Sequence, residues 1–229
     1  EKVAQYHKGI TYIPSTPTFG WEHAECTTHG CSHYYGVWSG EQPFSVWEEK
    51  TGRFMSEYGF QAYPEMTSWK TALPEAECRL ESSGLQLHQK HNRGYEFVSK
   101  GIADYFGRKC TDLDEFSYLS QLLQAYGIGQ AIDAHRRQHG HCGGTLYWQL
   151  NDCWPVASWS SIDSYGRWKL LHYRVRERYA NVAVLCSAED PLAIYVVNDS
   201  LKSVRGELIY QAFYMDGTPL SEPVQVRLN

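Results

Sequence analysis

The stretch RFMSEYGFQ, residues 53–61, places one carboxylate among apolar and aromatic residues. Its composition is typical of a short buried strand, and Glu57 falls near the end of that strand. An unpaired charge is costly to bury, so Glu57 needs either a partner or a function. The residues alone leave two interpretations open: an ion pair with Arg53 or another cation, and a catalytic carboxylate at the edge of a pocket.

Three other segments resemble this strand, and helix-like segments separate the strands along the chain. They are residues 10–13, 33–38 and 145–150. Strands that alternate with helices are typical of βα units, so we predict an α/β fold with a parallel sheet or barrel over residues 10–182. In a barrel of this kind the carboxyl ends of the strands meet at one face, where functional side chains converge.

Three helices are predicted among these strands. The longest begins after Asp112, which is a good capping residue, and Gly127 and Gly129 predict a weak point in its middle. The other two cover residues 95–106 and about residues 168–179.

The pattern changes after about residue 181 to short alternating runs. Residues 193–197 and 207–214 are strand-like, and Asp216-Gly217 is a hairpin-turn signal. We therefore predict the start of an all-β domain. A complete sandwich needs about seven strands and a closed barrel about 250 residues, so we expect the chain to be part of a longer polypeptide.

Composition excludes several classes of function. The net charge of −5 gives no general attraction to nucleic acid or anionic lipid, and no apolar run approaches the roughly 20 residues of a membrane helix. The seven cysteines include no Cys-x-x-Cys pair, which favours reduced core thiols. The cluster His135, His139, His141 and Cys142 has ligand-like spacing, but Arg136 and Arg137 lie within it, so we predict no metal site.

The predicted strand ends carry residues suited to glycoside chemistry. Aromatic rings hold sugars by their apolar faces, and glycosidases use two carboxyl groups beside the scissile bond. Residues 147–155, with sequence YWQLNDCWP, combine ring surface with amide and carboxylate groups. A nucleophilic carboxylate must stay ionised, so Glu57 needs a hydrogen-bond donor, which Tyr34 or Tyr35 would supply.

Four stretches carry a resemblance to a known family, the β-mannosidases of family 2 of the glycoside hydrolases. They are YIPSTPTFGW (12–21), HYYGVW (33–38), PFSVWEEKTGRFMSEYGFQAYPEM (43–66) and GTLYWQLNDCWPVASWSSIDSYGRWKLLHY (144–173). The resemblance implies that residues 1–182 are the C-terminal half of a (β/α)8 TIM barrel, containing strands five to eight. Residues 183–229 would then be part of an immunoglobulin-like β-sandwich.

The resemblance also implies a retaining exo-hydrolase, without a cofactor, that removes terminal β-mannose from a β-mannoside substrate. Glu57 matches the family nucleophile, and Tyr34 matches the tyrosine bonded to it. Trp148 matches the tryptophan under the innermost sugar. Asn151, Asp152 and Trp154 lie beside Trp148 and would shape the same subsite.

One part of the family pattern is absent. The family acid/base is a glutamate that follows an asparagine, and no Asn-Glu pair occurs in this chain. The resemblance therefore implies that the acid/base, barrel strands one to four and the family's upstream β domains precede Glu1. We expect these residues to be inactive without the rest of the polypeptide. The resemblance leaves the compartment of this soluble protein open: cytoplasmic or periplasmic in a bacterium, lysosomal in an animal.

Three alternatives remain at this point. A sister activity of the family, such as a β-galactosidase, β-glucuronidase or exo-glucosaminidase, would use the same nucleophile. A non-catalytic sugar-binding relative would retain Glu57 but lack the acid. A purely structural or interaction domain is disfavoured by the polar and aromatic groups at the strand ends.

Overall fold

The structure, a computed structural model, describes residues 2–18, 27–187 and 192–228. The helices are α1 (Lys2–Tyr6), α2 (Met66–Ala72), α3 (Ser83–Leu87), α4 (Gly94–Phe106), α5 (Leu113–Arg137) and α6 (Leu170–Arg178). The strands are β1 (Ser32–Tyr34), β2 (Met55–Tyr58), β3 (Val182–Cys186), β4 (Ile194–Asn198), β5 (Gly206–Tyr210) and β6 (Val224–Leu228). Short 3-10 helices cover Phe44–Glu48 and Glu75–Glu77. Cys26 and the end of the 12–21 stretch lie outside the described residues.

A parallel arrangement of three segments lies at the centre of residues 27–187. β1 pairs in parallel with β2. On the other side of β2, Leu146 N donates to Met55 O and Trp148 N donates to Tyr58 O, each at 2.8 Å. The predicted strand 145–150 therefore runs alongside β2. Among the described residues, its one parallel bridge to β2 joins Thr145 to Met55. Parallel strands and helices that follow one another along the chain confirm an α/β architecture.

The predicted strand at residues 10–13 is wrong. This segment has no regular secondary structure, and Ile10, Tyr12 and Ile13 are all exposed. Apolar alternation favours a strand only where a neighbouring strand accepts its backbone hydrogen bonds, and no ladder partner is present for it among the described residues.

The helix predictions are confirmed, with one correction inside α5. The Asp112 carboxylate accepts a hydrogen bond from Glu115 N at 2.9 Å, so the helix begins where expected. α4 ends at Gly107, whose φ of 61° is left-handed. The expected weak point in α5 is wrong, because the helix runs unbroken through Gly127 and Gly129.

Aromatic residues fill the core between the strands and the helices α4 and α5. Trp47, Tyr58, Trp69 and Phe116 are fully or almost fully buried. Trp47 meets the rings of Tyr34 and Tyr58 edge-on, with centroids 5.3 and 5.5 Å apart. This packing fixes the backs of β1 and β2, so the side chains on their opposite face are held on a rigid support.

Two antiparallel hairpins follow α6. β3 pairs with β4, and β5 pairs with β6. The predicted strands at 193–197 and 207–214 correspond to β4 and β5, although β5 ends at Tyr210. The predicted turn is present, with Gly217 at a φ of 88° and Thr218 N donating to the Asp216 carboxylate at 2.8 Å.

The six described cysteines are free thiols. Only Cys142 is buried, whereas Cys153 and Cys186 are exposed, so the prediction of core thiols is wrong for those two. Within the described ranges, none of the helices has the length and apolar character needed to cross a membrane.

Candidate active site

The parallel segments bring His33, Glu57 and the backbone of Trp148 to neighbouring positions. His33 of β1 stands opposite Glu57 of β2, and the register skips one residue because Ser32 stands opposite Met55. Ser56 is therefore an extra residue in β2. A bulge of this kind turns the side chains that follow it, and here it brings Glu57 level with His33.

Glu57 receives a hydrogen bond from Tyr35 rather than from Tyr34. The Tyr35 hydroxyl donates to Glu57 Oε1 at 2.8 Å. Tyr34 faces the opposite side of β1, where it is buried and its hydroxyl donates to Gln42. Successive side chains of a strand point to opposite faces, which is why only one of the two tyrosines reaches the carboxylate. The expectation that Tyr34 is bonded to Glu57 is corrected to Tyr35.

Tyr35 is held in its protonated, donating form. Burial raises the pKa of its hydroxyl, and the hydrogen bond to Glu57 and the charge of that carboxylate raise it further. Tyr35 therefore remains a neutral donor throughout the physiological pH range.

No guanidinium neutralises Glu57 within the described part of the chain. Arg53 instead donates to the Gly140 carbonyl at 3.3 Å, so the ion pair with Arg53 is excluded. The ionic contact that Glu57 does make is with His33, whose Nδ1 lies 3.7 Å from Oε2. The Glu57 side chain keeps 25% of its surface exposed, which leaves it accessible to a ligand.

Trp148 approaches the Glu57 strand through a glycine. A Cβ on Gly59 would lie 2.3 Å from the Trp148 carbonyl oxygen and 3.0 Å from the Trp159 ring. Only glycine leaves room for this approach. Trp148 is 44% exposed, so part of its surface is available to a ligand.

Asp152 is buried in the loop that follows Trp148. Its Oδ2 accepts hydrogen bonds from Ser158 at 2.7 Å and Ser160 at 2.5 Å. The buried Lys169 ammonium donates to the Ala62 carbonyl at 3.0 Å. Burial lowers the pKa of Lys169 to about 8, and the charge of Asp152 opposes that shift. Asp152 therefore holds the loop after Trp148 through these contacts.

Asn151 and Trp154 lie on the same loop and are more exposed than Asp152. Asn151 is bridged to Ile162, and the Trp154 ring packs at 5.5 Å from the His88 ring. His88 in turn contacts the Pro155 carbonyl at 2.6 Å, which fixes this side of the loop.

The histidine cluster lies apart from these groups. His135 is buried, contacts Thr145 Oγ1 at 2.8 Å and has its pKa lowered to about 3 by burial and by Arg137. His141 Nε2 lies 3.1 Å from the Thr27 carbonyl, and Cys142 Sγ bonds to Gly144 O. In the described ranges no three His, Cys, Asp or Glu side chains are arranged to hold a metal ion.

Sequence reasoning missed His33 as a neighbour of Glu57. The signal was its position two residues before Tyr35, because alternate residues of a strand share a face. The bulge at Ser56 has no comparable signal, since nothing in the letters MSEY marks a change of register.

Comparisons with known proteins identify relatives over most of the chain. It is 36% identical over 192 residues to "Beta-mannosidase B" of Aspergillus fumigatus, covering 80% of this chain and 22% of that protein. It is 33% identical over 219 residues to "Beta-mannosidase B" of Emericella nidulans, covering 86% of this chain and 26% of that protein. No model of a protein family matches the chain.

Solved structures give the same result for the fold. A β-D-mannosidase from Dictyoglomus thermophilum superposes with a TM-score of 0.77 and 30% identity over 90% of this chain and 26% of that one. An exo-chitosanase from Amycolatopsis orientalis superposes with a TM-score of 0.68, and at 18% identity over 81% of this chain and 24% of that one it supports the fold alone. The chain spans about a quarter of the length of these proteins.

Proposed function

Because this chain is homologous over most of its length to part of the β-mannosidases, we propose that it belongs to a retaining exo-β-mannosidase in which Glu57 is the nucleophile. The observation that carries the proposal is the state of Glu57. It is a partly exposed carboxylate at a strand end, with a tyrosine donor on one oxygen and no guanidinium among its described partners. An ionised, accessible carboxylate is what a two-step glycoside hydrolysis requires.

The proposed reaction has two steps. Glu57 attacks the anomeric carbon of a terminal β-mannose, its oxygen forms the new bond, and the leaving oxygen takes a proton from an acid. The same acid group, now a base, removes a proton from water, which displaces the sugar from Glu57. As the resemblance implies, we assign this acid/base to another part of the polypeptide, since the chain has no Asn-Glu pair. No cofactor is required.

The proposed substrate contacts come from Trp148 and the loop that follows it. The exposed Trp148 ring is the proposed platform under the innermost sugar, where apolar ring faces stack well. Asn151 and Trp154 are proposed to contact the sugar from the same loop. Asp152 is proposed to support this loop rather than to contact the sugar, because it is buried and its Oδ2 accepts hydrogen bonds from both Ser158 and Ser160.

We further propose that residues 1–182 form the second half of a (β/α)8 barrel and that residues 183–229 begin an immunoglobulin-like domain. The parallel pairing of β1 with β2, and of β2 with the 145–148 segment, supports the first part. The antiparallel hairpins β3–β4 and β5–β6 support the second. The remaining polypeptide would complete both domains.

The decisive test replaces Glu57 by glutamine in the complete polypeptide. Glu57→Gln keeps the size and polarity of the side chain but removes the nucleophilic charge, so turnover of an aryl β-mannoside falls by several orders of magnitude while the unfolding temperature stays close to that of the wild type. Glu75→Gln, at an exposed position, is the matched control and retains full turnover. Near-normal turnover of Glu57→Gln would exclude Glu57 as the nucleophile.

A panel of aryl glycosides tests the substrate class separately. The wild-type polypeptide is expected to prefer the β-mannoside over the β-galactoside, β-glucuronide and β-glucosaminide. A preference for one of the other sugars would retain the mechanism and reassign the activity.

A further inference from the structure

His33 occupies a position beside Glu57 that the proposed mechanism does not use. Its Nδ1 lies 3.7 Å from Glu57 Oε2, on the oxygen that Tyr35 leaves free. The His33 side chain is 14% exposed, so its ring is held between its neighbours rather than in solvent. A distance of 3.7 Å is an electrostatic contact and not a formed hydrogen bond.

The far side of the His33 ring is anchored by Thr16. Thr16 Oγ1 lies 3.1 Å from His33 Nε2 and also 3.1 Å from Ser56 Oγ. Cys31 Sγ contacts the same oxygen at 3.1 Å. Three polar side chains from two segments therefore meet around the Thr16 hydroxyl, and these contacts hold the plane of the imidazole.

The protons in this cluster can be counted. Ser56 Oγ lies 3.2 Å from the Ser32 carbonyl, which can only accept, so the Ser56 proton is directed there. The contact between Ser56 and Thr16 then needs the Thr16 proton, so the Thr16 oxygen accepts hydrogen bonds from His33 Nε2–H and from the Cys31 thiol. A neutral His33 in this state would present a bare Nδ1 lone pair to the Glu57 carboxylate.

That juxtaposition is unfavourable, and it is relieved when Thr16 turns its proton toward Nε2, so that the single imidazole proton lies on Nδ1. This arrangement leaves an N–H at Nδ1 facing Glu57 Oε2. Glu57 is then oriented from two sides, by the Tyr35 hydroxyl on Oε1 and by His33 on Oε2.

We propose, on the basis of the proposed function, that His33 is a positioning residue: held by Thr16, it directs Nδ1–H at Glu57 and fixes the orientation of the carboxylate for attack. The bulge at Ser56 makes this possible, because it sets His33 level with Glu57 and turns the Ser56 hydroxyl toward Thr16. A small misplacement of a nucleophile lowers the rate strongly, so the contribution belongs mainly to turnover rather than to substrate binding.

The test uses two substitutions, each of which places an amide nitrogen near one of the two imidazole nitrogens. His33→Asn carries an amide nitrogen near the place of Nδ1, whereas His33→Gln carries one near the place of Nε2. In the complete polypeptide, His33→Gln is expected to lower kcat on an aryl β-mannoside about 10- to 100-fold with KM changed less than about threefold. His33→Asn recovers most of that loss, and both variants keep the wild-type unfolding temperature.

Covalent labelling separates this inference from the proposed function. A 2-deoxy-2-fluoro β-mannosyl fluoride should label the wild type at Glu57, as found by mass spectrometry of its peptides, and His33→Gln should be labelled more slowly than His33→Asn. Absence of label at Glu57 in the wild type overturns the proposed function and this inference with it. If the wild type is labelled but the two His33 variants are labelled at equal rates, the role of His33 alone is overturned. The same holds if both variants lose kcat equally and both unfold at a lower temperature than the wild type.

Discussion

Two adjacent tyrosines, the last residue of β1 and the one that follows it, differ completely in what they touch. Tyr35 donates to the Glu57 carboxylate at 2.8 Å, whereas Tyr34 is buried with its ring against Trp47 and its hydroxyl on Gln42. The family resemblance favoured Tyr34. For such a short strand, the sequence alone does not show which side chains point to which face of the sheet. The strand has three residues and a bulge opposite it, so the face of each side chain is decided by the register with β2.

The pair Tyr35→Phe and Tyr34→Phe distinguishes the two positions. Tyr35→Phe removes the donor to Glu57 and is expected to lower turnover about 100-fold, because the carboxylate loses a hydrogen bond that orients it. Tyr34→Phe removes the bond to Gln42 and is expected to lower the free energy of unfolding by about 1 kcal/mol, with turnover changed less than about fivefold. Turnover of an aryl β-mannoside and thermal unfolding of the complete polypeptide measure both effects. The opposite order of turnover losses would return the assignment to Tyr34.

The helices were more predictable than the strands because their signals are local. Asp112 caps α5 and Gly107 ends α4, and each signal depends on the conformation of a few neighbouring residues. A strand depends on a partner that is distant in sequence. Residues 145–148 pair with β2, but residues 10–13, with similar composition, are exposed and irregular.

The two glycines inside α5 illustrate a packing requirement that the sequence could not reveal. A Cβ on Gly127 would lie 2.3 Å from the buried Phe44 ring. A Cβ on Gly129 would lie 2.8 Å from Nε of Arg174, a long side chain that is partly exposed and can move. Both glycines weaken the helix intrinsically, yet they permit close contact with neighbouring elements.

Alanine substitutions at these two glycines are expected to change the free energy of unfolding by different amounts or in opposite directions. Gly127→Ala forces the Phe44 ring to shift and is expected to lower the free energy of unfolding by about 1–3 kcal/mol, in spite of the better helix propensity of alanine. Gly129→Ala displaces only Arg174, so it is expected to change stability by less than about 1 kcal/mol in either direction. Denaturant unfolding of both variants measures the difference. Equal effects would refute the role of Phe44.

At the scale of the whole molecule, the end of α5 connects the two predicted domains. Arg136 donates to the Asp199 carboxylate after β4 at 2.7 Å, and Arg137 donates to the Cys186 carbonyl at the end of β3 at 2.7 Å. Leu185 of β3 is fully buried. The change of sequence pattern near residue 181 therefore marks a change of secondary structure, while the β3–β4 hairpin remains packed against α5. Periodicity in the sequence indicates the change of secondary structure, but it carries no information about the packing of the hairpin against α5.

The core behind the candidate site also makes stability depend on pH. Burial lowers the pKa of His135 to about 3, and an unfolded histidine titrates near 6.5. Between these values the unfolded chain binds the proton and the folded chain does not, so the free energy of unfolding rises with pH. The stability of the neutral buried form is fully present above about pH 6.5 and is lost progressively as the pH falls toward 3.

Replacing His135 tests this linkage. From pH 7 to pH 5 the wild-type polypeptide is expected to lose about 2 kcal/mol of unfolding free energy through this one group, in addition to other titrating groups. His135→Gln has no group that titrates at this position. Between pH 7 and pH 5 it is therefore expected to lose about 2 kcal/mol less unfolding free energy than the wild type, even if it is less stable at pH 7. His7→Gln, at an exposed position, is the control and follows the wild type. Denaturant unfolding at the two pH values measures each loss, and parallel behaviour of His135→Gln and the wild type would show that His135 is protonated in the folded state.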